Sequence, residues 1–207
     1  MCLFGIFSVY NKLRDHKWNK YSEDKRLEVL EKIEKKQAKK LKIEPLEIAI
    51  YNDENWRCYG MFEVKRGEKT LWINPRLLSD QNLRFHALET IFHETRHAYQ
   101  HHVITKKRLH FWQTTARKWK KNYSGYFSSA EDDVIYGMQP IERDAQKYAL
   151  KQMAKLERKY DDQDEYHITM RQMIYRYNET EMQAKREHGM FYNYKISKKI
   201  KDKNKIN

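Results

Sequence analysis

The segment Thr90-Ile-Phe-His-Glu-Thr-Arg-His-Ala-Tyr99 contains the most informative pattern in the chain. It carries the pattern His-Glu-x-x-His, in which His93 and His97 are four residues apart, and the apolar residues around it recur at the spacing of one helix face. Residues four apart lie one above the other on a helix, about 6 Å apart along its axis, so both imidazoles can reach one ion. The sequence therefore predicts a helix from about Gln81 to His102 that presents a pair of metal ligands.

Glu94, the second residue of the pattern, points about 100° around the helix from the first histidine. This direction is poor for a metal ligand but suits a general base that faces a metal-bound water. Since neutral imidazoles are preferred ligands of Zn²⁺, we predict Zn²⁺ as the cofactor and Glu94 as the catalytic residue. The alternative is a polar helix flank with solvated imidazoles, because His86, His101 and His102 show that histidine is common in this region.

A third ligand is needed, because a catalytic zinc ion usually has three protein ligands and a water. His101 lies about 12 Å along the helix from the first histidine, too far to share its ion. The better candidate is Glu142, which follows Pro140 at the start of a later predicted helix and shares a helix side with the small residues Ala145 and Ala149. An acid in a first helical turn is also favoured by the helix dipole alone. The rival acids, predicted to be solvated in the preceding loop, are Glu131, Asp132 and Asp133.

The remaining sequence predicts an α+β fold, in which a small antiparallel sheet packs on the His-Glu-x-x-His helix and the C-terminal half is mostly helical. Ser22 is a predicted helix N-cap, and Gly67 is available for the positive φ of a hairpin turn. The predicted elements are a helix from Ser22 to before Pro45, strands 46–51, 58–64 and 70–74, the helix 81–102, helices 106–120, 140–160 and 164–186, a loop over 123–139, and a frayed polar C-terminus from Tyr194.

Length and charge limit the class of protein. The chain has 207 residues and a formal net charge of +13, from 42 Lys and Arg against 29 Asp and Glu. This length suits one domain, which we divide into an N-terminal helical segment (1–45), a core (46–160) and a C-terminal helix with a basic tail (161–207).

The positive charge is concentrated in three segments, 12–42, 106–121 and 195–205. Such patches could attract nucleic acid, although a lysine-rich solvated surface is the simpler interpretation. No run approaches the roughly 18 apolar residues of a membrane span, and the N-terminus makes a poor secretory signal, so we predict a cytoplasmic protein without membrane contact. Cys2 and Cys58 form no Cys-x-x-Cys pair, which argues against a disulfide framework or a thiolate metal site. The sequence does not indicate an oligomeric state.

Together, these residues resemble the gluzincin group of zinc metallopeptidases, most closely the ImmA/IrrE type. The resemblance covers about residues 60–156 and comprises a strand with Ile73-Asn74, the His-Glu-x-x-His helix and the pattern Glu142-x-x-Ala-x-x-Tyr-Ala149. It implies a zincin-like domain in which the two histidines and Glu142 hold zinc and Glu94 acts as acid and base. It also implies that strand 70–74 is an edge strand on which an extended substrate adds itself to the sheet.

Three features depart from the pattern of this group. Arg96 occupies a position that is usually uncharged, and 44 residues separate the second histidine from Glu142. Gln146 stands where thermolysin-like relatives have an aspartate that supports a zinc histidine, so this supporting role has no candidate in the sequence. The side chains that could stabilise an oxyanion are Tyr136, Tyr148 and His167.

The first functional hypothesis is a zinc metallopeptidase that acts on a protein or peptide substrate. The alternative is a nucleic-acid-binding protein whose zinc site is structural, or hydrolytic only after recruitment to DNA or RNA. A third hypothesis is an interaction module that keeps the fold without turnover. Replacement of Glu94 distinguishes the first hypothesis from the others, and charge reversal over 106–121 tests the second.

Overall fold

The chain folds into nine α-helices and a three-stranded sheet across the residues that the computed structural model describes, which are 9–53, 55–105 and 113–205. The helices are α1 (Asp15–Trp18), α2 (Glu23–Leu41), α3 (Arg76–Ser79), α4 (Arg84–Thr105), α5 (Gln113–Ser124), α6 (Asp133–Met138), α7 (Pro140–Ala154), α8 (Asp164–His188) and α9 (Tyr192–Lys203). The strands are β1 (Glu47–Ile50), β2 (Gly60–Lys65) and β3 (Glu68–Ile73). Short 3₁₀ helices occur at Tyr10–Leu13, Gln81–Leu83, Glu157–Lys159 and Gly189–Phe191. The α+β class predicted from the sequence is confirmed.

The sheet is mixed and has the order β1-β3-β2. The predicted hairpin is confirmed, because β2 and β3 pair antiparallel across a turn in which Arg66 and Gly67 have φ of 52° and 90°. The prediction of a wholly antiparallel sheet is wrong, since β1 pairs parallel with β3, with Glu47 opposite Thr70. β1 and β2 follow each other in the chain but lie on opposite sides of β3. Strand-like runs in a sequence do not reveal which strand lies in the centre of the sheet.

The segment 70–74 was expected to be an edge strand, and this expectation is wrong. β3 is the central strand, and its Leu71 and Ile73 are fully buried. The two edges of the sheet are β1 and β2, and β2 packs against α4. The open edge beside the predicted metal ligands therefore belongs to β2.

The central helix is α4, which packs on α2, on α7 and on the sheet. Because it is covered on several sides, its buried residues extend beyond a single apolar stripe. The predicted span 81–102 is close to the observed one, although Gln81–Leu83 form a 3₁₀ helix in which the Asp80 side chain accepts from Asn82 N. Ala145 and Ala149 of α7 are fully buried, as expected of small residues between closely packed helices.

Helix α2, in the N-terminal part of the chain, also packs on α4. Ser22 caps α2 as predicted, and its hydroxyl accepts from Lys25 N. Val29, Leu30 and Ile33 of α2 are fully buried and belong to the same apolar core as the sheet, α4 and the apolar sides of α7 and α8. This shared core holds α4 in place.

The C-terminal part differs most from the sequence-based expectation. The segment 123–139 is not a simple loop, because it contains α6, whose N-cap Asp132 accepts from Ile135 N. The C-terminus is not frayed either, since α9 buries Ile196 and Ile200 in a second small core with residues of α6 and α8. Two isoleucines four residues apart are a weak signal in a lysine-rich segment, which explains the error. The helix predicted from Pro140 ends at Ala154, and that predicted over 106–120 is seen from Gln113 onward because 106–112 lie outside the described residues.

Within the described ranges, every helix is too short or too polar to cross a lipid bilayer.

Candidate metal centre

Helices α4 and α7 bring the three predicted ligands together. His93 and His97 lie one turn apart on α4, and Glu142 lies in the first turn of α7. The two Nε2 atoms are 3.0 Å apart, Glu142 Oε2 lies 3.3 Å from Nε2 of His93, and Glu142 Oε1 lies 3.4 Å from Nε2 of His97. Since these donor atoms lie within 4.8 Å of one another, the three side chains could hold a metal ion.

Gln100 orients His97 from the side away from the other ligands. Its Oε1 accepts from Nδ1 of His97 at 2.9 Å, and its Nε2 donates to Ile141 O at 2.9 Å and to Asp144 Oδ2 at 2.8 Å. Because Nδ1 carries the proton in this arrangement, the lone pair of Nε2 in the neutral imidazole is directed at Glu142 and His93. Gln100 is fully buried, so the contact is shielded from water.

This donor set fits a cation. In neutral His97 the Nε2 atom is an acceptor, and it faces the carboxylate of Glu142, which is an acceptor as well, and Nε2 of His93, whose role depends on its tautomer. Without a cation, protons must neutralise the carboxylate in this cluster. Burial raises the pKa of Glu142, but His97 and His93 outweigh this effect and hold the pKa below its ordinary value. Burial lowers the pKa of His97, but Glu142 outweighs that effect and raises it to about 9. A divalent ion would accept an electron pair from each of the three side chains at once.

Arg96, whose charge is unusual among the peptidases that the sequence resembles, has a structural role here. Its Nε and Nη2 donate to the two carboxylate oxygens of Asp144 at 2.7 and 3.1 Å. The guanidinium also lies 4.6 Å from the centre of the Tyr99 ring and 5.0 Å from that of Tyr148. Arg96 therefore fixes Asp144, Asp144 fixes Gln100, and Gln100 fixes His97, in a network that ties α4 to α7.

Tyr126 contacts the site from a segment that the sequence predicted to be a loop. Its hydroxyl donates to Glu142 Oε1 at 2.9 Å. Gln139 holds the next residue of that segment, since its side chain accepts from Phe127 N at 3.2 Å and donates to Phe127 O at 2.8 Å. Lys203 of α9 donates to the carbonyl oxygen of Tyr126 at 2.5 Å. No sequence signal separates Tyr126 from the other tyrosines, because its role depends on contacts with distant residues.

Glu94 lies beside the three ligands without belonging to the group. It is 7% exposed, and its Oε2 accepts from the backbone N–H of Phe62 on β2 at 2.8 Å. Burial raises the pKa of Glu94, although His93 and His97 act in the opposite direction. The close approach of β2 requires Gly60, because a Cβ there would overlap Thr90 Cγ2 and lie 3.1 Å from Glu94 Cγ.

Two open cavities meet at the site. One, of about 580 Å³, includes His93 and is bordered by α6 and α8, and the other, of about 570 Å³, includes His97 and Glu142. Side chains in the second cavity are mainly aromatic and apolar, among them Phe62, Tyr123, Tyr126 and Ile141. The residues that line both cavities are Cys58, Gly60, Glu94 and Tyr136. The candidate centre thus lies in a continuous cleft rather than in a closed interior.

Several other predicted candidates lie elsewhere. Tyr148 donates to Gln37 Oε1 at 3.0 Å, and His167 Nε2 contacts Asp161 O at 3.0 Å, so neither serves the site. Of the three oxyanion candidates, only Tyr136 lines the cleft. The rival acids do not join the metal-binding group: Glu131 pairs with Lys203, Asp132 caps α6, and Asp133 belongs to α6.

Comparison of the chain with protein-family models, with curated proteins and with solved structures finds no match. What the protein does is therefore inferred from the chemistry of the site alone.

Proposed function

We propose that the protein is a zinc-dependent metallopeptidase of gluzincin type, with a zincin-like arrangement of α4, α7 and the sheet, that hydrolyses peptide bonds in a protein or peptide substrate. The convergence of His93, His97 and Glu142 in an open cleft, with Glu94 beside them, is the observation that carries this proposal. Two histidines and a glutamate form the ligand set of one class of hydrolytic zinc sites. A structural zinc site usually has four protein ligands, whereas the group found among the described residues has three.

When bound by these ligands, zinc supplies a water of pKa near 7 and a Lewis acid for the scissile carbonyl. The protein's own contribution begins with Glu94, whose carboxylate takes a proton from the attacking water and later delivers it to the departing amine. The backbone N–H of Phe62 holds Oε2 of Glu94 in place and leaves Oε1 for proton transfer. Gln100 keeps His97 in the tautomer that a ligand requires.

The open edge of β2 is a suitable surface for an extended substrate. Asn74 N donates to Tyr59 O, so the alternation of an antiparallel pair turns the main-chain groups of Gly60, Phe62 and Val64 away from β3. Phe62 N–H is already used by Glu94, so a peptide would pair with Phe62 O and with the outward-facing groups of Gly60 and Val64, and it would then pass the three ligands.

Tyr136 is the best candidate for stabilising the oxyanion. It lines both cavities where they meet, and burial raises the pKa of its hydroxyl, so the hydroxyl stays protonated and able to donate. Tyr126 already donates to Glu142, which makes it a residue that positions the ligand.

Replacement of Glu94 tests the proposal. We expect purified protein to contain one zinc ion per chain and to cleave members of a peptide library in a chelator-sensitive manner. Glu94→Gln should keep the zinc, because Glu94 is outside the ligand group, and should lower cleavage by at least about 100-fold, because the general base is lost. Mass spectrometry of the peptides and elemental analysis of the protein measure the two effects.

Glu89→Gln is the matched control, since it makes the same change on the same helix in a residue that lines the cleft. This variant should retain both zinc and cleavage. Full activity of Glu94→Gln would contradict the peptidase mechanism, and a zinc-loaded protein without any cleavage would favour the non-catalytic hypotheses.

A further inference from the structure

Two basic segments that are distant in sequence adjoin in the structure. Asn204, just after α9, donates its Nδ2 to Lys121 O of α5 at 2.8 Å, and a Cβ on Gly125 would overlap Ile200 O. Together, α5 and the segment 192–205 contain ten Lys and Arg against one acid, Asp202. The contact between the C-terminal ends of the two helices thus brings two strongly basic elements together, and we call their exposed residues the α5/α9 surface.

Both helices turn cationic residues directly to solvent. In α9, Tyr194, Lys198 and Lys201 follow the i, i+4, i+7 spacing of one face, and all are exposed, whereas the opposite face buries Ile196 and Ile200. In α5, Arg117 and Lys121 are exposed on the side opposite the buried Ala116 and Trp119.

Much of this charge is not neutralised by the protein itself. Lys199, Lys203 and Lys205 each pair with a carboxylate. Six other lysines have no carboxylate partner within the described part of the chain: Lys118, Lys120, Lys121, Lys195, Lys198 and Lys201. Such ammonium groups hold only mobile counterions, which a polyanion would displace with a gain in free energy.

Exposed aromatic rings near these lysines indicate which kind of polyanion the surface binds. Phe191 and Tyr194, at the start of α9, are 75% and 70% exposed, and Tyr194 lies one turn from Lys198. Aromatic rings beside a track of cations are the usual features of surfaces that bind single-stranded nucleic acid, on which bases stack while phosphates meet the cations. A membrane-surface helix would instead need an exposed apolar face, and the apolar face of α9 is occupied by the second core.

We infer that the α5/α9 surface binds single-stranded nucleic acid, with lysines contacting phosphates and the rings of Phe191 and Tyr194 stacking on bases. No residue of this surface belongs to the metal-binding group, so the inference does not rest on the proposed function.

Fluorescence anisotropy with a labelled single-stranded DNA of about 16 nucleotides tests the inference on the full chain. A patch variant that combines Lys118→Ala, Lys121→Ala, Lys198→Ala and Lys201→Ala should lose more than about tenfold in affinity. Its slope of log affinity against log salt should become shallower by about 2 to 3, because up to four phosphate contacts are lost. The double variant Phe191→Ser, Tyr194→Ser keeps the charge, so it should lose about tenfold in affinity without a change of slope.

The matched control removes the same charge elsewhere, through Lys20→Ala, Lys32→Ala, Lys35→Ala and Lys39→Ala, which are also exposed. Its affinity should change by less than about threefold. Thermal unfolding checks that each variant is folded. Equal losses in the patch and control variants, unaltered binding in the aromatic variant, absence of salt-dependent binding, or binding to phosphatidylserine vesicles in place of the oligonucleotide would each overturn the inference.

Discussion

Gln100 illustrates how much the role of one residue depends on its neighbours. It lies three positions after the second histidine, and α4 continues through it to Thr105. Its side chain accepts from His97 and donates to Asp144, which makes it the supporting residue that the sequence lacked. Gln146, at the position where thermolysin-like peptidases carry the supporting aspartate, lines the cleft instead.

Gln100→Ala should weaken zinc binding by about 10-fold to 100-fold, because His97 loses the partner that fixes its tautomer and orientation. It should also lower the free energy of unfolding by about 1–3 kcal/mol, because Ile141 O loses its bond to Gln100 and is left buried without that donor. Competition with a chromophoric chelator measures the affinity. Gln146→Ala is the control, and equal affinities in the two variants would show that Gln100 does not support the site.

At the level of helices, α2 contains a buried acid with no role in the proposed chemistry. Glu34 is fully buried, and burial raises its pKa from 4.5 to about 7, although the main chain of Leu46 and the charge of Lys35 lower it in part. The acid is therefore protonated in the folded protein under conditions in which it is ionised in the unfolded chain.

The sign of the resulting pH dependence follows from proton binding. Between pH 4.5 and about 7 the folded state binds more protons at Glu34 than the unfolded state, so stability from this group falls as pH rises through that range. At pH values above this range, the free energy of unfolding should be lower by at most about 3 kcal/mol because of this group. Glu34→Gln should abolish this component, so the variant should gain stability relative to the wild type at pH 8 but not at pH 4. Urea unfolding at the two pH values measures the difference, and Glu31→Gln on the same helix is the control.

At the level of the whole molecule, the candidate centre depends on α4, on α7 and on the C-terminal helix α9. α9 supplies Lys203, which holds the carbonyl of Tyr126, and Tyr126 in turn holds Glu142. The C-terminal helix is thus connected to a proposed metal ligand through two hydrogen-bonded contacts. Docking of α9 depends on the burial of Ile196 and Ile200.

Ile200→Ala should lower the free energy of unfolding by about 2–5 kcal/mol, because it leaves a cavity in the second core. It should also weaken zinc binding, since Lys203 and Tyr126 lose their fixed positions. Ile174→Ala makes the same change at a side chain that is 46% exposed, and it should alter stability by less than about 1 kcal/mol. Unfolding curves and zinc titrations of both variants measure these effects, and unchanged stability of Ile200→Ala would show that α9 is not docked as described.

Local patterns were sufficient for the features that depend on short-range geometry. The spacing of His93 and His97 is a property of any helix, so their common face follows from the sequence, as do the Ser22 cap and the turn at Gly67. The position of Glu142 beside the two histidines was also predicted, because a helix that starts with a proline and carries two alanines can approach another helix closely.

The remaining features depend on contacts between residues that are far apart in the chain. The parallel pairing of β1, the docking of α9 and the contacts of Gln100 and Tyr126 each join residues far apart in the chain, and such contacts are selected by which apolar surfaces can be covered together. A polar helix with two buried isoleucines has nearly the same local pattern as a solvated tail. Only the presence of α6 and α8 beside it distinguishes the two.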